Sequence, residues 1–333
     1  MIVTVNICIF LLLIANVHTW TIGGILSSIG KTFVDNTACK LHECCNSEYI
    51  PQNMNKLRDN LKVSLYGQHI VQEILFNALH DHITNDDPQK ALAISFHGAP
   101  GIGKNYVTKF IVESFYKLGF KSKYVHFYYG PSRFPEKERV KIYQMELYRE
   151  IITALKNCPN QIFIFDEIDK MPRGVLDALK VFLDTHKFIE QADVRRAIFI
   201  FILNTGGSDI VRIYEDKKNA GFHREQLKLY HFERDLFIES FNKAGGFLFA
   251  DIVESHLIDH YIPFLPLDRK HVELCIKDEF QLRGVYRPTS DQIKEIMEYV
   301  DFDGQFASAG CKRISAKVGS VIRRFSRPSA GEL

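Results

Sequence analysis

Gly98-Ala99-Pro100-Gly101-Ile102-Gly103-Lys104-Asn105 follows the phosphate-cradling pattern G-x-x-x-x-G-K-[ST] at every position but the last. In that pattern the glycines let backbone N–H groups face the phosphates, the lysine reaches the β and γ phosphates, and the terminal hydroxyl ligates Mg²⁺. Asn105 puts a carboxamide in place of the hydroxyl. An amide oxygen still serves a hard cation or holds a metal-bound water, so nucleotide binding is expected to survive with an altered metal shell. A bare G-x4-G-K arises by chance in roughly one chain in ten of this length, so the flanks decide. Residues 91–97 (ALAISFH) form an apolar run suited to a buried strand, and residues 106–118 carry Val107, Phe110, Ile111, Ser114 and Phe115 at helical spacing. Strand, glycine loop and helix then follow in the order that lays an anion on a helix N-terminus.

A second run, residues 161–170 (QIFIFDEIDK), reads as a buried parallel-type strand ending in Asp166 and Glu167. Asp166 would hold Mg²⁺ through water, and Glu167 would polarise the attacking water as general base. The alternative is a solvent-exposed acidic turn, which the cradle upstream disfavours because ligands bind at strand carboxyl ends in open α/β sheets. A third run, residues 197–203 (AIFIFIL), ends in Asn204, which would lie beside the γ phosphate; taken by itself, Asn204 reads as an ordinary turn residue. With further strands expected at 123–128 and near 261–265 and a helix over 140–156, the alternation predicts an α/β fold with a parallel sheet covered on both faces. A helical lid is expected from about residue 267.

The chain resembles the torsins, AAA+ P-loop ATPases related to the Clp and Hsp100 unfoldases. The resemblance rests on Gly103-Lys104-Asn105, on IFIFDEIDKM at 162–171, and on Asn204 after its apolar strand. It extends to YIPFLPL at 261–267, to Gly310-Cys311-Lys312, and to Leu65-Tyr66-Gly67-Gln68-His69, which is similar to the adenine-side box of the superfamily. It covers residues 39 to 318 in matching order. It implies ATP and Mg as ligands, with nucleotide contacts from Gly98 through Asn105 to Tyr106 and metal contacts from Asn105 and Asp166. Glu167, Asn204 and the sensor-II lysine, Lys312, would be catalytic. The expected domains are a large ATPase domain over 56–266 and a small lid over 267–333.

The composition, 46% hydrophobic over 333 residues, is ample for such a core, and a formal charge of +2 gives no reason to expect nucleic acid as a partner. The basic cluster Lys312, Arg313, Lys317, Arg323, Arg324 and Arg327 reads as a solvated helical face. His80 and His82 read as exposed helix-end residues rather than a zinc site. Residues 7–15 (ICIFLLLIA) are too short to span a bilayer and precede small and polar residues, the pattern of a signal peptide over 1–19. Residues 20–55 form a hydrophobic, cysteine-containing segment, which by the resemblance associates peripherally with a luminal membrane leaflet. Localisation in the endoplasmic reticulum lumen and perinuclear space is expected. Cys39, Cys44, Cys45, Cys158, Cys275 and Cys311 remain after the leader, an even number that suits an oxidising compartment. The resemblance implies a Cys39–Cys158 disulfide and a Cys275–Cys311 disulfide beside Lys312; buried free thiols are the alternative for the first pair.

Arg212, Arg224 and Arg234 follow Asn204, and none stands in a recognisable arginine-finger motif. Torsins lack the finger and are activated by the luminal AAA+-like domain of a membrane-anchored cofactor, so slow turnover of the isolated chain is expected, with a homo-oligomer or mixed ring as the assembly. Tyr128-Tyr129-Gly130 superficially resembles a peptide-gripping pore loop but reads better as a strand end and turn. A non-hydrolysing nucleotide switch or assembly scaffold, and a small-molecule kinase, are the competing functions.

Overall fold

A computed structural model describes residues 39, 42–242 and 251–325. The leader, the greater part of the hydrophobic segment, and Arg327 lie outside them.

Strands β1 (Leu92–His97), β2 (Val125–Tyr129), β3 (Ile162–Asp166), β4 (Ile198–Leu203) and β5 (His260–Pro263) form a parallel five-stranded sheet in the order β2-β3-β4-β1-β5. The three inner strands are buried at every position. Coverage on both faces explains why their sequences are continuous apolar runs without alternation. Register is set by two rows of stacked rings across β2, β3 and β4. Tyr128, Phe165 and Phe201 make one row, with centroids 4.8 and 5.5 Å apart, and His126, Phe163 and Phe199 the other, at 4.7 and 4.9 Å. The paired residues in each row are also direct cross-strand partners. This alignment brings Gly98, Glu167 and Asn204, the residues following β1, β3 and β4, to one edge of the sheet.

Helix α1 (Met54–Ser64) is capped by the Asn53 side chain, and α2 (His69–Thr84) follows it. α3 (Lys104–Phe115) leaves the glycine loop, and α4 (Val140–Asn157) buries Tyr143, Leu147, Ile151, Ile152 and Leu155 at helical spacing. α5 (Gly207–Asn219) follows β4. Three helices, α6 (Arg269–Leu282), α7 (Ser290–Met297) and α8 (Ile314–Phe325), form the lid around Val272, Ile276, Phe280, Ile296, Ile314, Val318 and Val321. Among the described residues no helix is long and apolar enough to cross a membrane.

The connection between sheet and lid is pinned by two buried polar side chains. Gln68 donates to the carbonyls of Ile102 (3.2 Å) and Leu265 (2.8 Å) and accepts from the Leu265 N–H (2.8 Å). Arg224 donates to the carbonyls of Gly67 (2.6 and 2.9 Å) and Pro266 (2.9 Å). It is therefore a strut at the joint.

Several expectations change. Cys39 is bonded to Cys44, not Cys158: the two cysteines lie five residues apart with Cα atoms 5.5 Å apart, within bridging range, and Tyr49 donates a hydrogen bond to the Cys39 carbonyl. Cys45 and Cys158 are each disulfide-bonded as well. His82 is buried rather than exposed, and burial pushes its pKa down. The strand expected at 123–128 lies at Val125–Tyr129, and a short helical turn, Gly130–Arg133, follows it.

Replacing Arg224 by methionine should cost about 2–4 kcal/mol, because two buried carbonyls lose their donors. The loss would be read as a lower urea midpoint at unchanged m-value.

Candidate functional site

Gly103 has φ +111°, a left-handed turn that a side chain would oppose, and it starts α3 with its first N–H groups free toward the loop. Lys104 is the first residue of the helix, yet only 6% exposed. Its ammonium donates to the carbonyls of Gly98 (2.5 Å) and Ala99 (2.9 Å) and to Asn204 Oδ1 (3.0 Å). Burial pushes its pKa from the ordinary 10.5 down to about 8; Asp169 and Asp166 pull the other way, and Lys312 adds to the fall. A buried cation at a helix N-terminus suits an anionic ligand.

The Asn105 carboxamide donates to Asp166 Oδ2 (2.9 Å), and Asp166 Oδ1 accepts the Glu167 N–H (2.9 Å). Burial dominates the Asp166 carboxyl and raises its pKa despite those two donors and the nearby Lys104. Asp166 thus favours an added positive charge, and the pair offers two hard oxygens, a fit for Mg²⁺ that takes its remaining shell from water and phosphate. Among the described residues no group of three or more His, Cys, Asp or Glu is placed to hold a metal unaided.

Glu167 adopts a left-handed backbone, φ 52° and ψ 45°. Its Oε2 accepts from the Tyr129 hydroxyl (2.9 Å) and the Lys170 ammonium (2.6 Å). Burial raises its pKa, but these two donors outweigh that and hold the carboxyl below the usual range. The carboxylate stays ionised, with Oε2 engaged by both donors and Oε1 left to face other groups. Sequence reasoning placed Tyr129 at a strand end and turn but linked neither it nor Lys170 to Glu167; the only signals were that strand-tip position and the i,i+3 spacing of Lys170.

These groups open into a cavity of about 510 Å³ between sheet and lid. Its floor is Pro100 to Tyr106 with Asp166, Glu167 and Asn204; the lid contributes Cys275, Asp278, Glu279, Cys311 and Lys312. Gly98 and Ala99 are not on its wall and instead hold Lys104 from behind. Ser64, Leu65 and Tyr66 close one end, where the Tyr66 hydroxyl donates to Asp278 of the lid (2.6 Å). Cys275 and Cys311 are joined in a disulfide. Arg212, Arg224 and Arg234 lie off the cavity wall: Arg224 is the joint strut, Arg212 pairs with Asp209, Asp216 and Asp235, and Arg234 is exposed.

Known proteins resemble this chain in sequence and in fold. The Torsin family model matches residues 39–165. A Torsin-like protein of Caenorhabditis elegans is 39% identical over 289 residues, 85% of this chain and 81% of that protein. One from Drosophila melanogaster is 37% identical over 317 residues, 92% and 93% of the two chains. Torsin-3A of Rattus norvegicus is 34% identical over 291 residues, 85% and 74%. Among solved structures, the S. cerevisiae Hsp104-ADP complex superposes with a TM-score of 0.52 at 18% identity, covering 87% of this chain and 49% of that one. The fold is the α/β AAA+ fold with a parallel sheet flanked by helices.

The depressed Lys104 pKa has a signed consequence. The unfolded chain holds that proton up to about pH 10.5 and the folded chain only to about 8, so Lys104 makes stability rise with pH between those values. Urea titrations of the unliganded protein from pH 7.5 to 10.5 should show this rise, and Lys104→Met should flatten it.

Proposed function

This chain belongs to the torsin family, and on that premise we propose that it binds ATP with Mg²⁺ and hydrolyses it slowly. The observation that carries the reading is the convergence of Lys104, Asn105, Asp166, Glu167 and Asn204 on one cavity that Lys312 enters from the lid. Gly98 to Tyr106 form the phosphate cradle, and Lys104, whose ammonium bonds Gly98, Ala99 and Asn204, would exchange one of these acceptors for an oxygen of the β or γ phosphate. Mg²⁺, when bound between Asn105 and Asp166, supplies charge neutralisation at the phosphate oxygens. Asn204 orients the attacking water, and Glu167 accepts its proton on Oε1, the oxygen that Tyr129 and Lys170 do not hold. Lys312 reads the terminal phosphate from the lid, so loss of that phosphate lets the 267–333 domain move against the 56–266 domain.

No arginine of the 212–234 stretch is on the cavity wall, which supports an arginine delivered from outside. The source we propose is the luminal AAA+-like domain of a membrane-anchored activator, within a homo-oligomer or mixed ring, at the endoplasmic reticulum and nuclear envelope. The apolar leader at residues 7–15 and the disulfides Cys39–Cys44 and Cys275–Cys311 favour that oxidising lumen. The work performed there would be remodelling of protein or membrane. The occupied Glu167 carboxylate also favours a second reading, a nucleotide-dependent switch or scaffold that does not turn over.

Phosphate release by the full chain, with and without an activator's luminal domain, decides between the two. We expect slow basal release raised by about 10³–10⁵-fold, the range an added arginine gives. Lys104→Ala should abolish calorimetric ATP uptake, and Glu167→Gln should retain ATP and the activator together. Fast basal release unaffected by any partner would refute the activator, and no release with the activator bound would leave the switch.

Cys275 and Cys311 line the cavity next to Lys312, which supports redox control of where that lysine points. Nucleotide affinity should differ between oxidising and reducing buffer, and Cys311→Ser should remove the difference.

A further inference from the structure

The phosphate loop and the lid meet backbone to backbone. The Cys311 N–H donates to the Gly101 carbonyl (2.9 Å). A Cβ on Gly101 would lie 1.9 Å from the Ala309 carbonyl oxygen, and one on Gly310 would lie 2.3 Å from the Gly101 oxygen and 3.2 Å from the Ile102 nitrogen. Both glycines also have positive φ, +79° and +50°. Two separate demands therefore fall on each position: a left-handed backbone, and an approach too close for any side chain.

The lid turn that makes this contact is internally braced. Gly310 N–H donates to Ala307, Lys312 N–H to Ala309, and Ile314 N–H to Cys311, each at 3.2 Å. Lys312 leaves that turn two residues after Gly310, and its charge is felt at both Lys104 and Glu167. Its base is thus located against the phosphate loop itself, and a displacement of the turn would carry the ammonium away from the cradle.

We infer that Gly310 is a positioning residue of the nucleotide site: its side-chain-free contact with Gly101 seats the lid on the phosphate loop and sets the reach of Lys312. Preference for ATP over ADP then depends on a glycine that touches no nucleotide. This rests on the ATP-binding reading above. A methyl group at position 310 would force the two backbones apart by about 1 Å to reach ordinary contact, enough to spoil an ammonium–phosphate hydrogen bond.

Gly310→Ala and Gly310→Asn in the full chain test it. Asparagine tolerates positive φ far better than alanine but still carries a Cβ, so it separates the conformational demand from the contact. Both variants should lose ATP affinity by roughly 10- to 100-fold, the worth of a charge-assisted hydrogen bond. ADP affinity should change by no more than about twofold, and the ATP:ADP ratio should match that of Lys312→Ala. Hydrogen exchange on the unliganded protein supplies a readout free of nucleotide: the Cys311 amide should be protected in the wild type and exposed in both variants.

An asparagine variant with wild-type ATP:ADP preference and a protected Cys311 amide would overturn the inference while leaving ATP binding intact. Should the variants fail to fold, rapid exchange of the Cys311 amide in the wild type overturns it, and protection supports it. A wild type that takes up neither nucleotide removes the ATP reading, and this inference with it.

Discussion

A lysine ammonium buried where three strand ends meet is the constraint on which the site depends. Lys104 bonds two carbonyls of the loop after β1 and the side chain of Asn204 after β4, so it ties the cradle to the sensor strand. Burial lowers its pKa although Asp169 and Asp166 pull the other way. An anion would relieve that burial, and the first N–H groups of α3 favour one as well. That arrangement supports the proposal that the loop binds phosphate.

The acidic side of the site is unbalanced in the opposite sense. Asp166 is raised by burial while Glu167 is lowered by Lys170 and Tyr129. Two neighbouring carboxyls are thus driven apart, one toward taking a cation and the other toward staying ionised and engaged, the kind of split that assigns different roles to adjacent acids. The lid completes the enclosure through contacts that are mainly polar and backbone: Gln68 and Arg224 at the joint, Tyr66 to Asp278 across the cavity, and Cys311 to Gly101 at the loop. Such contacts are directional and sparse, which suits a lid that must shift when one phosphate leaves.

Legibility in the sequence varied with burial. The runs at 91–97, 161–166 and 197–203 were readable because strands covered on both faces are apolar throughout; each strand starts one residue into its run and ends with it. β2 starts two residues and ends one residue later than expected because it is the sheet edge: Phe127 and Tyr129 face outward and blur the apolar signal. The helix after the cradle starts at Lys104, two residues ahead of its apolar spacing, since a charged first turn carries no hydrophobic mark even when it is buried. His82 and Arg224 were hidden for the same reason: polar residues read as surface until a partner or a packed neighbour shows otherwise.

The sequence by itself determined the order of strand, glycine loop, acidic strand and sensor strand, and with it the residue types that could meet a phosphate and a hard cation. Those features are local, set by apolar run length and by glycine's backbone freedom. Only the tertiary structure decided that Tyr129 and Lys170 occupy Glu167, that Cys39 bonds Cys44, that Arg224 braces the joint, and that Gly310 meets Gly101. Each of these is a distance between side chains or backbones from separate parts of the chain or across a turn, and such distances exist only once strand register and lid packing have fixed them.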